Sequence, residues 1–346
     1  MWSAYGELPR IVALAAPTCP DDGVVVRVGA TGVCRSDWHA WLGHDPVPFR
    51  PWVPGHELAG VVEQVGPQVT RWRRGDRVTV PFACGCGHCE QCAAGDTHVC
   101  PAQTQPGFTH HGSWADLVAL HAADTNLVRL PPEMSFVDAA SLGCRFATAY
   151  RAVVQQGRVT GGHRLAVHGC GGVGLSAVLV GASLGAQVIA VDVSSDALAA
   201  ARDLGATATV DATGLSPAQI AVAVRDASGG GAEVSLDALG GTATMQASIG
   251  SLRRRGRHVQ VGLMLGESAE SAVPMGRVIA EELEILGSHG MPAHDYPEML
   301  ALVASGRLDV RRLVGRVISL DEAPVALAAM SGPATTTGMT VIDLGL

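Results

Sequence analysis

Three observations predict an α/β fold of two domains, a small, partly open β-barrel and a doubly wound parallel sheet. The chain has 346 residues, long for a single core when domains usually hold roughly 100 to 200. Up to about residue 80, short apolar runs alternate with Pro, Gly and Asp clusters. From residue 164 onward the order strand, glycine turn, helix, strand recurs.

In the first part, 11–15, 24–28, Leu58–Val65 and 77–80 read as strands whose spacing suits a small barrel. Stretch 32–39 follows the second of them directly and reads as a loop held by a strand end. It offers a soft metal ligand, a fixed cation, a hydroxyl, a carboxylate and an imidazole in Cys34, Arg35, Ser36, Asp37 and His39. Gly55-His56-Glu57 leads into the next strand, and Ser141-Leu142-Gly143-Cys144 comes much later. Cys34, His56 and Cys144 together could complete a two-cysteine, one-histidine zinc site with a fourth position open.

Cys86, Cys89, Cys92 and Cys100 have the spacing C-x2-C-x2-C-x7-C, which lets four thiolates close around one zinc ion. Cys84 is the spare, and the spacing alone leaves open that it replaces Cys86. Residues 135–157 read as helical, and Arg164–His168 reads as a buried strand. It runs into Gly169-Cys170-Gly171-Gly172-Val173-Gly174, then a helix over 175–184 and the strand Gln187–Asp192. A G-x-G-x-x-G match gains weight in that context. Gly169 permits the tight turn, Gly171 a close backbone approach, and Gly174 close helix packing, while N–H groups at the helix start, around Gly172 and Val173, can bind phosphates. Further βα units continue the pattern (198–204 with 208–210, 219–227 with 233–238, then 258–261), and six parallel strands are expected by about residue 288. The remainder, 296–305 and 317–330 with a final strand at 340–344, is too short for a domain and reads as the chain returning to the first one.

Composition narrows the function. All 24 basic residues are arginine, which excludes Schiff-base chemistry and a lysine general base. A net charge of -8 with scattered arginines argues against a nucleic-acid surface. No run approaches the roughly 18 apolar residues of a membrane span, and the amino terminus lacks a basic segment leading into an apolar one. A cytoplasmic protein is therefore expected, in which the nine cysteines act as metal ligands or buried thiols.

From end to end, these motifs resemble in order and spacing those of the zinc-dependent alcohol dehydrogenases of the medium-chain dehydrogenase/reductase family. The resemblance implies a GroES-like catalytic domain over 1–145 and 289–346, with a structural zinc lobe at 84–100, and a Rossmann NAD-binding domain over 146–288. It implies two zinc ions per chain. Cys34, His56 and Cys144 would hold the catalytic ion, with Glu57 beside it as an alternate ligand and Asp37 orienting His56. Cys86, Cys89, Cys92 and Cys100 would hold the structural ion. Ser36 would receive the alcohol's proton and His39 pass it to solvent. Arg35 would grip the cofactor pyrophosphate and Thr148 touch the nicotinamide. The glycines and Asp192 would hold the rest of NAD, Asp192 favouring NAD over NADP because a carboxylate repels a 2'-phosphate. Phe82, Trp38, Trp52, Phe108 and Trp114 could line an apolar pocket.

The implied reaction is reversible NAD-linked oxidation of a primary or secondary alcohol to aldehyde or ketone, by a homo-oligomer, a tetramer before a dimer. Zinc would lower the alcohol's pKa and the nicotinamide take the hydride. The sequence departs from the family at two places, Ala197 where a lysine often contacts the ribose and Met339 where an arginine often follows Gly338. Both put more of the cofactor's binding on Arg35 and the helix start. An NADPH-dependent aldehyde reductase and a non-catalytic zinc-binding protein are the alternatives. A polyol dehydrogenase is disfavoured because that branch usually lacks a cysteine at the place of Cys144.

Overall fold

The computed structural model describes residues 1–48, 51–332 and 337–346. They form two compact units, Met1–Ala147 with Gly290–Leu346, and Thr148–His289. The sequence expectation divided the chain after 145 and after 288.

The first unit is built on β1 (Val24–Val33), whose residues are buried on both faces except at Arg27. A strand buried on both faces needs a nearly continuous apolar run, and the run here goes on past the expected end at residue 28. β1 pairs antiparallel with β2 (Leu58–Val65) and β4 (Leu117–Leu120). Next, β3 (Arg77–Thr79) pairs with β2, and β5 (Val128–Arg129) with β3. The expected strand at 11–15 is absent. Ile11, Val12 and Leu14 are about half exposed, and β propensity without a partner strand makes no ladder. Stretch 32–39 is also not a loop: β1 ends at Val33, Cys34 is an N-cap, and a helix runs over Arg35–Leu42.

The second unit holds six parallel strands in the order β11-β10-β9-β6-β7-β8. They are β6 (Arg164–His168), β7 (Gln187–Asp192), β8 (Ala208–Asp211), β9 (Ala232–Asp237), β10 (Leu252–Gln260) and β11 (Glu284–Gly287). The chain then returns to the first unit. There β12 (Val314–Ile318) lies parallel to β13 (Met339–Asp343), and β13 pairs antiparallel with β1, Val33 opposite Thr340. Met339 is buried in that last strand, a setting for an apolar side chain rather than the arginine the family often has nearby.

Two histidines lie inside the second unit. His168 Nε2 is 3.3 Å from Ser251 Oγ, and His258 Nδ1 is 2.9 Å from Ser248 Oγ. Burial pushes both imidazoles down to about 4. An unfolded histidine titrates near 6.5, so between about 6.5 and 4 the unfolded chain binds more protons than the folded one. The stability these neutral rings contribute is therefore full above about pH 6.5 and lost as pH falls to about 4, at roughly 3 kcal/mol each. Hydrogen exchange across Leu252–Gln260 should accelerate over that window. His258→Asn, which cannot take up the proton, should flatten the profile. An unchanged profile in that variant would place the acid sensitivity in other groups.

Candidate active site

Asp37 is the carboxylate on which the first site is assembled. As the third residue of the Arg35–Leu42 helix it reaches back to accept the Cys34 N–H at 2.9 Å, a capping arrangement that satisfies an otherwise unpaired donor. Its Oδ1 also accepts the Gly55 N–H at 3.1 Å and lies 3.1 Å from His56 Nδ1. One buried side chain thus fixes the Cys34 and His56 segments together. Gly55 allows this at φ 103, where a Cβ would meet Trp114 at 2.4 Å. The edges of Phe82 and Phe108 pack near the imidazole, with ring centres 6.2 and 5.4 Å away.

Cys144 arrives from a different kind of backbone. The expected helix over 135–157 is interrupted by two π turns, Leu142–Phe146 and Ala152–Gln156. Such turns break the i→i−4 ladder and often occur at functional sites. The N–H groups of Cys144 and Arg145 donate to Glu57 Oε1 at 3.1 and 3.0 Å. Arg145 also donates to the same carboxylate, Nε to Oε1 at 3.0 Å and Nη2 to Oε2 at 2.5 Å. Gly32 leaves room for this buried pair, since a Cβ there would meet Glu57 Oε2 at 2.1 Å.

Cys34 Sγ, an imidazole nitrogen of His56 and Cys144 Sγ lie within 4.8 Å of one another. His56 Nε2 is buried and has no hydrogen-bond partner among the described residues, while Nδ1 faces Asp37. A free buried nitrogen beside two sulfurs, with its ring fixed from behind by a carboxylate, is the donor set of a zinc site with an open position. The neighbouring Cys144 sulfur, and after it His56, hold the Cys34 thiol well below its ordinary range despite burial. Burial disfavours the charged His56 ring, but Asp37 and Cys34 outweigh it and raise its pKa. Cys34 first, then burial, push the Cys144 thiol well above its ordinary range, so of the two sulfurs Cys34 is the one favoured as thiolate.

Glu57 stands outside this ligand group. Its carboxylate is committed to Arg145 and two backbone N–H groups, so in this structure it braces the Cys144 turn. Arg145 was missed by sequence reasoning. The available signal was a lone cation inside the apolar stretch around Cys144, which burial obliges to find a partner.

The remaining expected residues are placed as follows. Ser36 Oγ lies 3.8 Å from Cys34 Sγ. His39 is half-buried in the last turn of the same helix, its Nδ1 3.2 Å from that of His44. Arg35 is exposed, donates to the Met330 carbonyl at 2.5 Å, and lies 4.7 Å from the Trp38 ring centre. Trp52 is wholly buried in the core with Trp114, its ring tilted at 51° to that of Trp2. Thr148 is buried, and its Oγ1 has no partner among the described residues.

In the lobe, Cys86, Cys89, Cys92 and Cys100 converge within 4.8 Å. Backbone N–H groups point at three of the sulfurs, Cys86 to Cys100, Gly87 to Cys92 and Cys92 to Cys89, each at 3.4 Å. Donors of this kind favour thiolates, so the set fits a closed structural zinc site. Buried Asn126 pins the lobe through both backbone groups of Gly85, at 2.8 Å each. Cys84 stays apart from the lobe's ligands, buried against the Pro81 carbonyl with its thiol pushed up to about 12. That resolves which cysteine is the spare.

In the second unit, Gly169 has φ 93, and a Cβ on Gly174 would meet Gly169 O at 1.7 Å, so both glycines are sterically required. At Gly171, the N-cap of the Gly172–Ser183 helix, a Cβ would meet nothing within 4 Å. Bare backbone facing open space at the start of a twelve-residue helix is a fit for a pyrophosphate, with the N–H groups of Gly172 and Val173 in the first turn. Asp192, at the end of β7, accepts from Cys170 N–H at 2.6 Å and Ser194 N–H at 2.9 Å, so it also supports the glycine turn.

Comparisons with known proteins agree with both halves of this geometry. The family description Alcohol dehydrogenase GroES-like domain matches residues 20–132, and Zinc-binding dehydrogenase matches residues 172–305. An alcohol dehydrogenase of Geobacillus stearothermophilus is 35% identical over 290 residues, 82% of each chain. A D-arabitol-phosphate dehydrogenase of Enterococcus avium is 30% identical over 314 residues, 90% of this chain and 87% of its own. The solved alcohol dehydrogenase from Thermus sp. ATN1 superposes with a TM-score of 0.89 at 29% identity, over 99% of this chain and 98% of that one. With two metal-ligand clusters and a dinucleotide turn in place, the chain belongs to the zinc-binding alcohol dehydrogenases of the medium-chain dehydrogenase/reductase family.

Proposed function

We propose that this enzyme catalyses the reversible NAD-linked oxidation of a primary or secondary alcohol to an aldehyde or ketone. The observation that carries the reading is the Cys34, His56 and Cys144 cluster with its unpartnered buried His56 Nε2. Bound there, zinc supplies a Lewis acid that lowers an alcohol's pKa, and NAD supplies the hydride acceptor. Asp37 keeps the His56 ring turned toward the metal position. Ser36 takes up the alcohol's proton and His39 passes it toward solvent. The aromatic edges of Phe82 and Phe108 make the surroundings of His56 apolar and keep water out. Four thiolates of the lobe hold a second, structural zinc.

The same reading includes a cytoplasmic homo-oligomer, a tetramer before a dimer. No helix among the described residues is long and apolar enough to cross a membrane.

A second reading, oxidation of a sugar alcohol, is favoured by the D-arabitol-phosphate dehydrogenase among the relatives. Initial rates with NAD and with NADP across aliphatic, benzylic, terpenoid, secondary and polyhydric alcohols separate the two. No turnover with any of them would leave a non-catalytic zinc-binding protein.

Asp192 is the residue proposed to set the cofactor. Asp192→Ala should narrow the NAD preference, because a like-charge contact with a 2'-phosphate costs upward of about 1.4 kcal/mol, roughly tenfold. The same change removes the acceptor for the Cys170 N–H, so affinity for both cofactors should fall. The ratio is therefore the readout. A parent enzyme that already prefers NADP would refute this role.

A further inference from the structure

At the end of the Arg35–Leu42 helix two histidines meet ring to ring. Gly43, at φ 80, turns the chain so that the His44 N–H donates to the His39 carbonyl at 2.9 Å. Their Nδ1 atoms are then 3.2 Å apart. Trp38 presents its face or edge to both rings, with centres 4.9 and 5.4 Å away, and is itself anchored by donating Nε1–H to Ser331 Oγ at 2.8 Å. His39 is half-buried and His44 exposed. Two imidazole nitrogens in hydrogen-bond contact share one proton, so one ring must donate while the other accepts.

We propose that His44 is a positioning residue for His39, setting which of its nitrogens is free to take up the proton released from the substrate. The proposal rests on the reading of His39 as the group that receives that proton. Neutral His44 accepts at Nδ1 from His39 Nδ1–H, which leaves the lone pair on His39 Nε2. A proton arriving at Nε2 makes an imidazolium whose Nδ1–H is already hydrogen-bonded. When His44 is protonated, both of its nitrogens carry hydrogen and it can only donate. His39 must then accept at Nδ1 and hold its own proton on Nε2, where it can take up no other.

The surroundings reinforce this dependence on a neutral His44. The charged and titratable groups that face His39 are His44, Arg35 and Cys34; burial first, then His44 and Arg35, push its pKa down. Ser331 and Met330, which receive Trp38 and Arg35 from the end of the chain, bring no charge. Asp45 follows His44 directly, half-buried and raised by burial.

The test is to label histidine with nitrogen-15 in the zinc-loaded protein and read, by long-range proton–nitrogen NMR, which ring nitrogen of His39 carries the proton. His39→Gln and His44→Gln assign the signals. At about pH 8 His39 should hold its proton on Nδ1, and it should move to Nε2 as the pH is lowered and His44 takes up a proton. His44→Phe keeps the ring against Trp38 but removes the acceptor, and should lower alcohol oxidation about tenfold at its plateau, less than the ~10²- to 10⁴-fold of losing a base outright. His44→Gln supplies an acceptor that never protonates. It should keep the plateau rate and lose one of the ionisations that limit the acid limb. A purely structural His44 would lower rates evenly at every pH and in both variants. His39 bearing its proton on Nε2 at pH 8 in the parent, or superimposable pH profiles for parent and both variants, would overturn the proposal. A parent without alcohol turnover would overturn the proposed function instead, while the NMR result would still decide the role of His44.

Discussion

Cys144→Ala should reduce alcohol oxidation by more than ~10²-fold, since losing merely an outer partner of a metal ligand already costs roughly ten- to a hundredfold. Elemental analysis should fall from about two zinc ions per chain to about one, because the second cluster, Cys86, Cys89, Cys92 and Cys100, is formed without Cys144. Three protein ligands and an open position also release metal to a chelator before four thiolates do. Brief chelation of the parent should therefore abolish activity with the lobe still loaded, and added zinc should restore it. Cys84→Ala provides the control: its sulfur lies against the Pro81 carbonyl, outside both clusters, so zinc content and rate should both be preserved. Full activity and two ions in Cys144→Ala would refute the assignment of the first cluster.

Both clusters were legible in the sequence because metal ligation is written in residue type and spacing. The six-stranded sheet was legible too, since β6, β7, β8 and β9 are short runs, mostly buried in all but β8, each followed by a helix. The first unit was harder to read. Its 11–15 run has the composition of a strand, yet Ile11, Val12 and Leu14 are about half exposed. Whether such a run becomes a strand depends on a neighbour, which composition does not encode. Stretch 32–39 read as a loop because its polar residues obscured a helix that starts at the Cys34 cap. Trp52, Phe108 and Trp114 all belong to the core cluster beside Trp2, and composition does not say which of them also faces His56, as Phe108 does. The roles of Glu57 and Arg145 depended on a π turn, a backbone feature with no composition signature. Family resemblance supplied Glu57 as a ligand, and the structure supplied its partner.

That pair yields the sharpest stability prediction. Glu57 is fully buried and Arg145 nearly so, and burial pulls the Glu57 carboxyl toward its neutral form while Arg145 opposes it. Removing one member of a buried ion pair strands the other, at about 3–5 kcal/mol, whereas removing both together is often close to neutral. Arg145→Leu should therefore destabilise the first unit by about that amount, read by tryptophan fluorescence during urea unfolding, since all six tryptophans lie in that unit. Glu57→Gln should also destabilise it, by leaving the guanidinium unmatched. The double variant should recover much of the loss, a coupling expected between contacting residues. Zinc content distinguishes a brace from a ligand: both single variants should still bind about two ions, since neither side chain supplies a ligand atom to the Cys34, His56 and Cys144 cluster. Additive losses in the double variant, or a zinc deficit confined to Glu57→Gln, would return Glu57 to the coordination sphere.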